Sequence, residues 1–378
     1  MTYDLLEKHE VTDLAEEYSL GKVTSVTSAP LAWSRRGNHQ TNLLLDATRG
    51  KVIVRFDEVK GELDVKREVD LLLFLRKHGF PCPQPLADRK GRHYRDARGA
   101  CVIVYKHIDG KQPNVDNLST AQIENIGRSL SDLHVLGKGY KKGIDNRFSF
   151  ERVADLYAEV RGQLPSYFKK ITRTLDEEVE YLGSYLEGKL PKGVINGDLF
   201  EENLLLKGEK LVGMLDFEAA CRGKFIFDLA TAVNAVCFAE GKYDLKRFES
   251  LIAGYESVRT LSLAEWDAFP NELRFSALRF TVTRLREVLA LPDAELGLAA
   301  ITEERGAVLP RLDDRSGNGA GTDDRVRAAR AFQDFFDRLS ILRREREGGM
   351  EPMLLAMATG YDYRKYQKVK AVEKKGTK

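Results

Sequence analysis

The sequence of 378 residues contains little cysteine, tryptophan or histidine, with 4, 2 and 6 copies respectively. The cysteines are far apart, and the absence of a CxxC pair or a Cys/His cluster argues against a zinc site or a redox pair. No apolar run is long enough to span a bilayer, and Met1 to Glu10 lacks the apolar core of a signal peptide. These absences predict a cytoplasmic protein with reduced, buried thiols and no membrane partner.

A strong net charge is also missing. The 60 basic and 58 acidic residues give a formal charge of +2, and hydrophobic residues make up 43% of the chain. This balance predicts no nucleic-acid partner, and the apolar content is sufficient for the core of a sizeable enzyme. The local exception is a lysine-rich C-terminal stretch, which is typical of a solvated end. Composition gives no indication of the oligomeric state.

Strand patterns dominate the first hundred residues, and helical patterns dominate the rest. Two apolar runs joined by a turn at Gly50 predict a hairpin over residues 42–56, and apolar spacing predicts a helix over residues 63–78. A strand over residues 100–105 leads into a hinge. We therefore predict a two-lobed α+β fold, with a small N-terminal antiparallel sheet and one helix beside a larger, mostly helical C-terminal lobe.

The lobe boundary is predicted at the hinge. The predicted divisions are an N-terminal lobe at 1–106, a C-terminal lobe at 107–349 with a flexible insertion at 313–324, and a basic tail at 350–378. The insertion is rich in Gly, Asn and Asp, which is a loop composition. An earlier strand is also expected near residues 31–36.

The chemistry of the chain is concentrated in one segment, where short apolar strands flank Asp198, Asn203 and Asp216. Phosphoryl transfer needs a carboxylate that orients a hydroxyl and accepts its proton, together with hard oxygen ligands for Mg²⁺. Each residue alone is more simply explained as a turn former. The three together, placed in loops between apolar strands, favour a functional site.

This pattern resembles the catalytic loop and metal-binding segment of the aminoglycoside phosphotransferase and choline kinase group, which is related to protein kinases. The resemblance implies that Asp198 is the catalytic base, that Asn203 and Asp216 bind Mg²⁺, and that ATP is the phosphate donor. Those families usually write the loop as His-Gly-Asp-x-x-x-x-Asn, and this chain has Asn196 in place of the His. That His is thought to brace the loop, and an Asn can still form hydrogen bonds.

A kinase also needs a cation over the α/β-phosphates and a carboxylate that holds the cation. Arg55 falls at the position of the usual strand Lys, and Glu68 falls where its partner belongs. The alternatives are an outward-facing strand Arg and an exposed helix Glu. Residues 37–42 lie where a turn would cover the nucleotide. The predicted nucleotide-binding residues are Arg55, Glu68, Thr41, Asn42, Lys106 and Ile108.

A narrower resemblance joins the chain to homoserine kinases of the aminoglycoside-phosphotransferase-like type. The matching segments are 79–85, 197–203, 216–221, 227–230, 234–238, 254–255 and 277–285. Departures occur at His39 and Gln40, and at Glu218, which replaces an aromatic residue. The resemblance implies a hydroxylated small-molecule acceptor, and a homoserine pocket needs a carboxylate and a cation. Glu218 and either Arg279 or Arg284 are the candidates.

Other interpretations stay open at this point. The chain could be a kinase of another amino alcohol, another hydroxy amino acid or an aminoglycoside, or a nucleotide-binding pseudokinase that acts as a scaffold. The departures at Asn196 and Arg55 favour the scaffold, whereas the retained base and metal ligands argue against it. Two further residues are interpreted as structural, because Asp228 precedes an apolar helix like an N-cap and His134 lies on a helix-packing face.

Overall fold

The computed structural model describes residues 8–29, 40–97, 99–185, 189–239, 241–290 and 324–347. The strand expected near 31–36, the first residues of the nucleotide-covering turn and the basic tail lie outside these ranges. The predicted insertion also lies outside them, except for its last residue, which begins a helix. None of the helices in the described part of the chain is both long enough and apolar enough to span a bilayer.

An antiparallel sheet of six strands forms the N-terminal region, with the order β1-β2-β3-β6-β4 and β5 paired to β6. Its strands are β1 Val23–Ser28, β2 Gln40–Ala47, β3 Gly50–Asp57, β4 Gln84–Pro85, β5 Arg95–Ala97 and β6 Ala100–Lys106. The predicted hairpin is confirmed as β2 and β3, and Gly50 adopts φ +124° at the turn. In this register Asn42 lies directly opposite Arg55.

The two faces of the sheet have different roles because side chains alternate along a strand. Leu45, Val54 and Val102 point to one face, where they pack with Leu14 and Tyr18 in and just after helix α1, Lys8–Glu17. The alternate residues of the same strands, among them Asn42 and Arg55, point to the other face. Helix α2, Glu62–Lys77, contributes Glu68 to that face and confirms the helix predicted over 63–78.

The remaining elements are mostly helical. They are α3 Thr120–Gly137, α4 Phe150–Arg161, α5 Lys169–Tyr185, β7 Lys192–Ile195, β8 Leu204–Lys207, β9 Lys210–Met214, β10 Cys221–Lys224, α6 Phe225–Val236, β11 Phe238–Ala239, β12 Lys242–Tyr243, α7 Leu245–Glu256, α8 Leu263–Ala290 and α9 Asp324–Glu347. Strands β8 and β9 form the hairpin that carries the predicted catalytic segment.

Contacts divide the chain into two compact units. The first comprises Met1–Asp145, Gly193–Arg222 and Ser250–Thr260, and the second comprises Asn146–Lys192, Gly223–Glu249 and Leu261–Lys378. The catalytic segment therefore belongs to the same unit as the N-terminal sheet. The lobe boundary predicted at residue 106 stays a prediction.

Close helix packing in the first unit explains one of the sequence segments that resemble homoserine kinases. A Cβ built on Gly254 would lie 1.9 Å from the Glu124 carbonyl oxygen, so only glycine fits where α7 approaches α3. The neighbouring Tyr255 hydroxyl lies 2.7 Å from Nδ1 of His134, which is fully buried. This contact confirms the packing role predicted for His134.

In the second unit, α8 packs against α4, α5, α6 and α9. Its Arg274 forms a buried, two-pronged ion pair with Glu178 of α5, in which Nε lies 2.8 Å from Oε1. Asp228 is not the N-cap of α6, so that prediction is wrong. The helix begins three residues earlier, after Lys224, and Asp228 lies fully buried within it. All four cysteines are free and buried, as expected.

Candidate active site

The catalytic segment lies between β7 and β8 and is held by its own polar groups. Asn203 Nδ2 donates hydrogen bonds to the Asp198 carbonyl at 2.7 Å and to Asp198 Oδ2 at 3.4 Å. Gly197 adopts φ +76°, and a Cβ at this position would lie 3.1 Å from the Ala219 carbonyl oxygen. A side chain is therefore disfavoured both by the backbone conformation and by the space. Asp198 therefore follows a turn residue, Gly197, whose backbone conformation only glycine adopts readily.

Asp216 follows β9 in an unusual backbone conformation. Its φ is +53°, a region that non-glycine residues occupy rarely and at a cost of roughly 1–3 kcal/mol. Its Oδ1 accepts a hydrogen bond from the Glu218 backbone N–H at 3.3 Å. Strain of this kind persists where the surrounding structure enforces it, and functional sites are where it concentrates.

Asn196 links the two loops. Its Oδ1 accepts a hydrogen bond from the Asp198 backbone N–H at 3.0 Å, and its Nδ2 donates one to the Asp216 carbonyl at 3.3 Å. The residue is fully buried. The amide thus accepts a hydrogen bond from the loop that carries Asp198 and donates one to the loop that carries Asp216. Asn196 braces these two loops, as expected at this position.

Arg55 and Glu68 form the expected ion pair on the inner face of the sheet, with Arg55 Nη1 3.0 Å from Glu68 Oε1. Burial opposes the charge of Glu68, but the nearby Lys60 and Arg55 hold the pKa of its carboxyl below the usual value. The guanidinium also lies 5.2 Å from the ring centroid of Tyr105. Burial opposes the charge of Arg55 as well, but Tyr105, Glu68 and Asp216 raise its pKa.

The polar groups of this face and of the segment from Asp198 to Asp216 fit a polyphosphate and a magnesium ion. Arg55 Nε is a buried donor with no hydrogen-bond partner among the described residues, which suits a phosphate oxygen. Asn42, opposite Arg55 across β2 and β3, has a buried acceptor, Oδ1, that is likewise without such a partner. The described residues contain no cluster of three or more His, Cys, Asp or Glu that could hold a metal. Mg²⁺ needs no such cluster, since it is commonly bound by one or two carboxylates together with substrate phosphates and water. Asp216 and the amide oxygen of Asn203 are ligands of that type.

The other predicted nucleotide-binding residues lie along the same sheet and the segment after it. Thr41 is part of β2, opposite Phe56, and Lys106 is an exposed residue at the end of β6. Ile108 follows in the hinge, where its Cδ1 would lie 3.1 Å from a Cβ on Gly213 of β9. The hinge therefore rests on the hairpin that carries the catalytic loop.

The acceptor candidates belong to different compact units of the chain. Glu218 lies in the first unit, and its Oε2 is 3.1 Å from Lys60 Nζ. Arg279 lies in the second unit, stacked between Phe148 at 4.0 Å and Phe280 at 3.7 Å from the ring centroids. Arg284, on the same helix, is partly exposed and bonded to Glu287 at 2.6 Å.

Lys60 is a site residue that sequence reasoning missed. Its Nζ lies 2.7 Å from Glu68 Oε2 and its side chain is only 13% exposed. A lysine between a strand and a helix is ordinarily a solvated loop residue. The available signal was Asp57, three positions earlier, whose carboxylate accepts the Lys60 backbone N–H at 2.9 Å and fixes the turn.

Solved structures with a similar fold are small-molecule kinases. An amicoumacin kinase in complex with AMP-PNP, Ca²⁺ and Ami has a TM-score of 0.62 and 15% identity, covering 80% of this chain and 93% of its own. A microcompartment-associated aminopropanol kinase has a TM-score of 0.60 and 19% identity, covering 89% of this chain and 98% of its own. These similarities establish the α+β fold, which is protein-kinase-like, as predicted.

The chain belongs to the phosphotransferase enzyme family, whose model matches residues 35–261. A homoserine kinase from Methylobacterium radiotolerans is 31% identical over 297 residues, which is 76% of this chain and 89% of that relative. These two matches identify the protein as a phosphotransferase that uses an alcohol group as acceptor.

Proposed function

We propose that this protein transfers the γ-phosphate of ATP, bound with Mg²⁺, to the side-chain hydroxyl of homoserine. The observation that carries the proposal is that Asn196 joins the backbone of Asp198 to the carbonyl of Asp216 at 3.0 and 3.3 Å. The buried amide fixes the backbone of the proposed base relative to that of the proposed metal ligand. Catalysis needs this fixed separation, whereas a scaffold does not. This bridge argues against the pseudokinase alternative.

In the proposed reaction the acceptor hydroxyl attacks the γ-phosphorus. An oxygen–phosphorus bond forms, the bond from the γ-phosphorus to the β–γ bridging oxygen breaks, and ADP leaves with the electron pair. Asp198 accepts the proton of the hydroxyl, and Asn203 orients the Asp198 carboxylate through its side-chain amide. Bound Mg²⁺ would offset the negative charge of the phosphates and would be held by Asp216 and Asn203. Arg55, held by Glu68, would contact the phosphates as the cation of the sheet.

Homoserine is favoured as the acceptor by the kinship with curated homoserine kinases. Its ammonium group needs a carboxylate, and its carboxylate needs a cation. Glu218 is our candidate for the first role because it lies two residues after Asp216, in the same compact unit as Asp198.

A second acceptor class is an amino alcohol without a carboxylate. The specific observation in its favour is the fold similarity to an aminopropanol kinase over 89% of this chain. Glu218 would serve the ammonium group of either acceptor. The carboxylate of the acceptor therefore separates the two proposals.

The test is a coupled ADP-release assay over homoserine, aminopropanol, ethanolamine, serine and an aminoglycoside, at fixed ATP and Mg²⁺. We expect the highest kcat/KM with homoserine and a large drop with aminopropanol. An inert homoserine beside an active amino alcohol would replace the acceptor class. An absence of ADP release with every acceptor would overturn the proposed reaction.

A further inference from the structure

A second buried cation lies beside Arg55. Lys60 Nζ is 2.7 Å from Glu68 Oε2 and 3.1 Å from Glu218 Oε2, and the nearest oxygen of Asp57 is 3.5 Å away. Arg55 occupies the other oxygen of Glu68 at 3.0 Å. One carboxylate on α2 therefore holds two cations, one from a strand and one from the loop before the helix.

The position of Lys60 is fixed by its own loop. Asp57 Oδ1 accepts hydrogen bonds from the backbone N–H groups of Val59 at 3.3 Å and Lys60 at 2.9 Å. Asp57 is almost fully buried, whereas Val59 is 68% exposed. The turn thus directs the Lys60 side chain inward, while Val59 faces solvent. The burial of the ammonium group is therefore determined by the backbone of this loop.

The ammonium stays charged in this setting. Burial disfavours the charge, but Glu68 and Glu218 raise the pKa of Lys60 well above its usual value. A lysine ammonium has three hydrogen-bond donors, and the two glutamates lie within reach of two of them. The 3.5 Å separation from Asp57 is longer than a normal hydrogen bond, so donor capacity remains for a further acceptor.

The surrounding charges show which kind of acceptor is suitable. Arg55 and Lys60 converge on Glu68, and Glu218 belongs to the same segment as the candidate metal ligand Asp216. Two cations fixed at one carboxylate beside a metal-binding segment match the phosphate oxygens of a nucleoside diphosphate or triphosphate, which carry several negative charges.

We propose that Lys60 is a second phosphate-binding cation, which contacts the β-phosphate of the nucleotide alongside Arg55 and is oriented by Glu68 and Glu218. This inference rests on the proposed nucleotide-dependent reaction. The competing explanation is that Lys60 only neutralises Glu218, in which case it has no contact with the nucleotide.

The test compares nucleotide affinities by calorimetry for the wild-type protein and the Lys60→Met variant, which keeps an unbranched side chain of similar length. The ligands are AMP-PNP with Mg²⁺, ADP with Mg²⁺, and adenosine. We expect Lys60→Met to weaken AMP-PNP and ADP by about 10- to 100-fold, as the loss of a charged hydrogen bond does, and to leave adenosine unchanged. Lys66→Met is the matched control, because Lys66 is an exposed residue of α2 paired with Asp70.

A double variant separates the two explanations. Lys60→Met with Glu218→Gln removes the Glu218 charge as well, so wild-type affinity for ADP in this variant would overturn the proposal. Equal losses for ADP and adenosine, or no loss for any ligand, would also overturn it. Lys60→Arg, which keeps the charge, is expected to retain most of the affinity, and Lys60→Gln replaces the Met variant if that protein does not fold. A wild-type protein that binds AMP-PNP but phosphorylates no acceptor would overturn the proposed reaction, while the affinity series would still decide the role of Lys60.

Discussion

Replacing Asn196 by alanine removes the two hydrogen bonds that link the loop carrying Asp198 to the loop carrying Asp216. The change removes the 3.0 Å hydrogen bond to the Asp198 backbone N–H and the 3.3 Å hydrogen bond to the Asp216 carbonyl, both buried. A hydrogen bond contributes roughly 0.5–1.5 kcal/mol, so losing the two costs about 1–3 kcal/mol. Part of this cost is expected to appear as a lower Tm, and the remainder as misplacement of Asp198.

Steady-state kinetics by ADP release, with thermal melts of the same samples, measure both parts. We expect Asn196→Ala to lower kcat/KM by about 5- to 100-fold, since about 1.4 kcal/mol corresponds to a factor of ten. Asn196→Asp keeps the acceptor for the Asp198 N–H but sets an oxygen against the Asp216 carbonyl, so it isolates the second bond. Asn196→His is expected to retain most of the activity, because an imidazole can also brace the loop.

The matched control is Asn125→Ala. Asn125 lies on α3, where its amide donates only to the Ala121 carbonyl at 3.0 Å. This variant is expected to keep both the Tm and kcat/KM. If Asn196→Ala behaves like this control, the bridge does not position Asp198 and our reasoning about the loop is refuted.

Two further predictions follow from the site. Asp216→Ala should abolish the Mg²⁺ dependence of nucleotide binding, and Asn203→Ala should weaken it less, because a neutral ligand is lost instead of a charged one; metal titrations of AMP-PNP affinity measure both. The pKa of Glu68 is lowered in the folded protein, so its ionised carboxylate contributes stability above the ordinary carboxyl pKa. This contribution is lost as the pH falls through the folded-state pKa. Tm should therefore decline in acid, and less steeply in Glu68→Gln.

Each of these predictions has an outcome that contradicts it. Identical Mg²⁺ titrations for Asp216→Ala, Asn203→Ala and the wild type would remove the metal assignment. Parallel Tm curves for Glu68→Gln and the wild type between neutral and acidic pH would show that the ion pair contributes nothing to stability.

The sequence predicted those parts of the fold and site that depend on local patterns. The β2–β3 hairpin and α2 follow from alternation, turn chemistry and helical spacing within short windows. The catalytic segment follows from the spacing of Asp198 and Asn203 within one loop, and from the β8–β9 hairpin that separates them from Asp216. Arg55 and Glu68 are 13 residues apart, one near the end of a strand and the other on the helix that follows, so their pairing could also be predicted from the sequence.

Other features depend on contacts between distant segments. The inward position of Lys60 requires Glu218, which is far away in the sequence, and a lysine in a loop gives no local sign of burial. The bridge from Asn196 to the Asp216 carbonyl is also a tertiary contact. Asp228 was misjudged because the apolar residues before it are part of the helix, which begins after Lys224 without a side-chain cap. In each case the tertiary neighbours decide the role of the residue.

The most direct test of the central claim is phosphorus NMR of a reaction containing the protein, ATP, Mg²⁺ and homoserine, run beside Asp198→Asn. The wild-type protein should convert ATP to ADP and produce a new phosphomonoester signal that co-migrates with authentic O-phosphohomoserine. The variant should form it about 10²- to 10⁴-fold more slowly while still binding ATP, because the change removes the base and keeps the volume. A phosphomonoester formed at the wild-type rate by Asp198→Asn, or none formed by the wild type, would contradict the account.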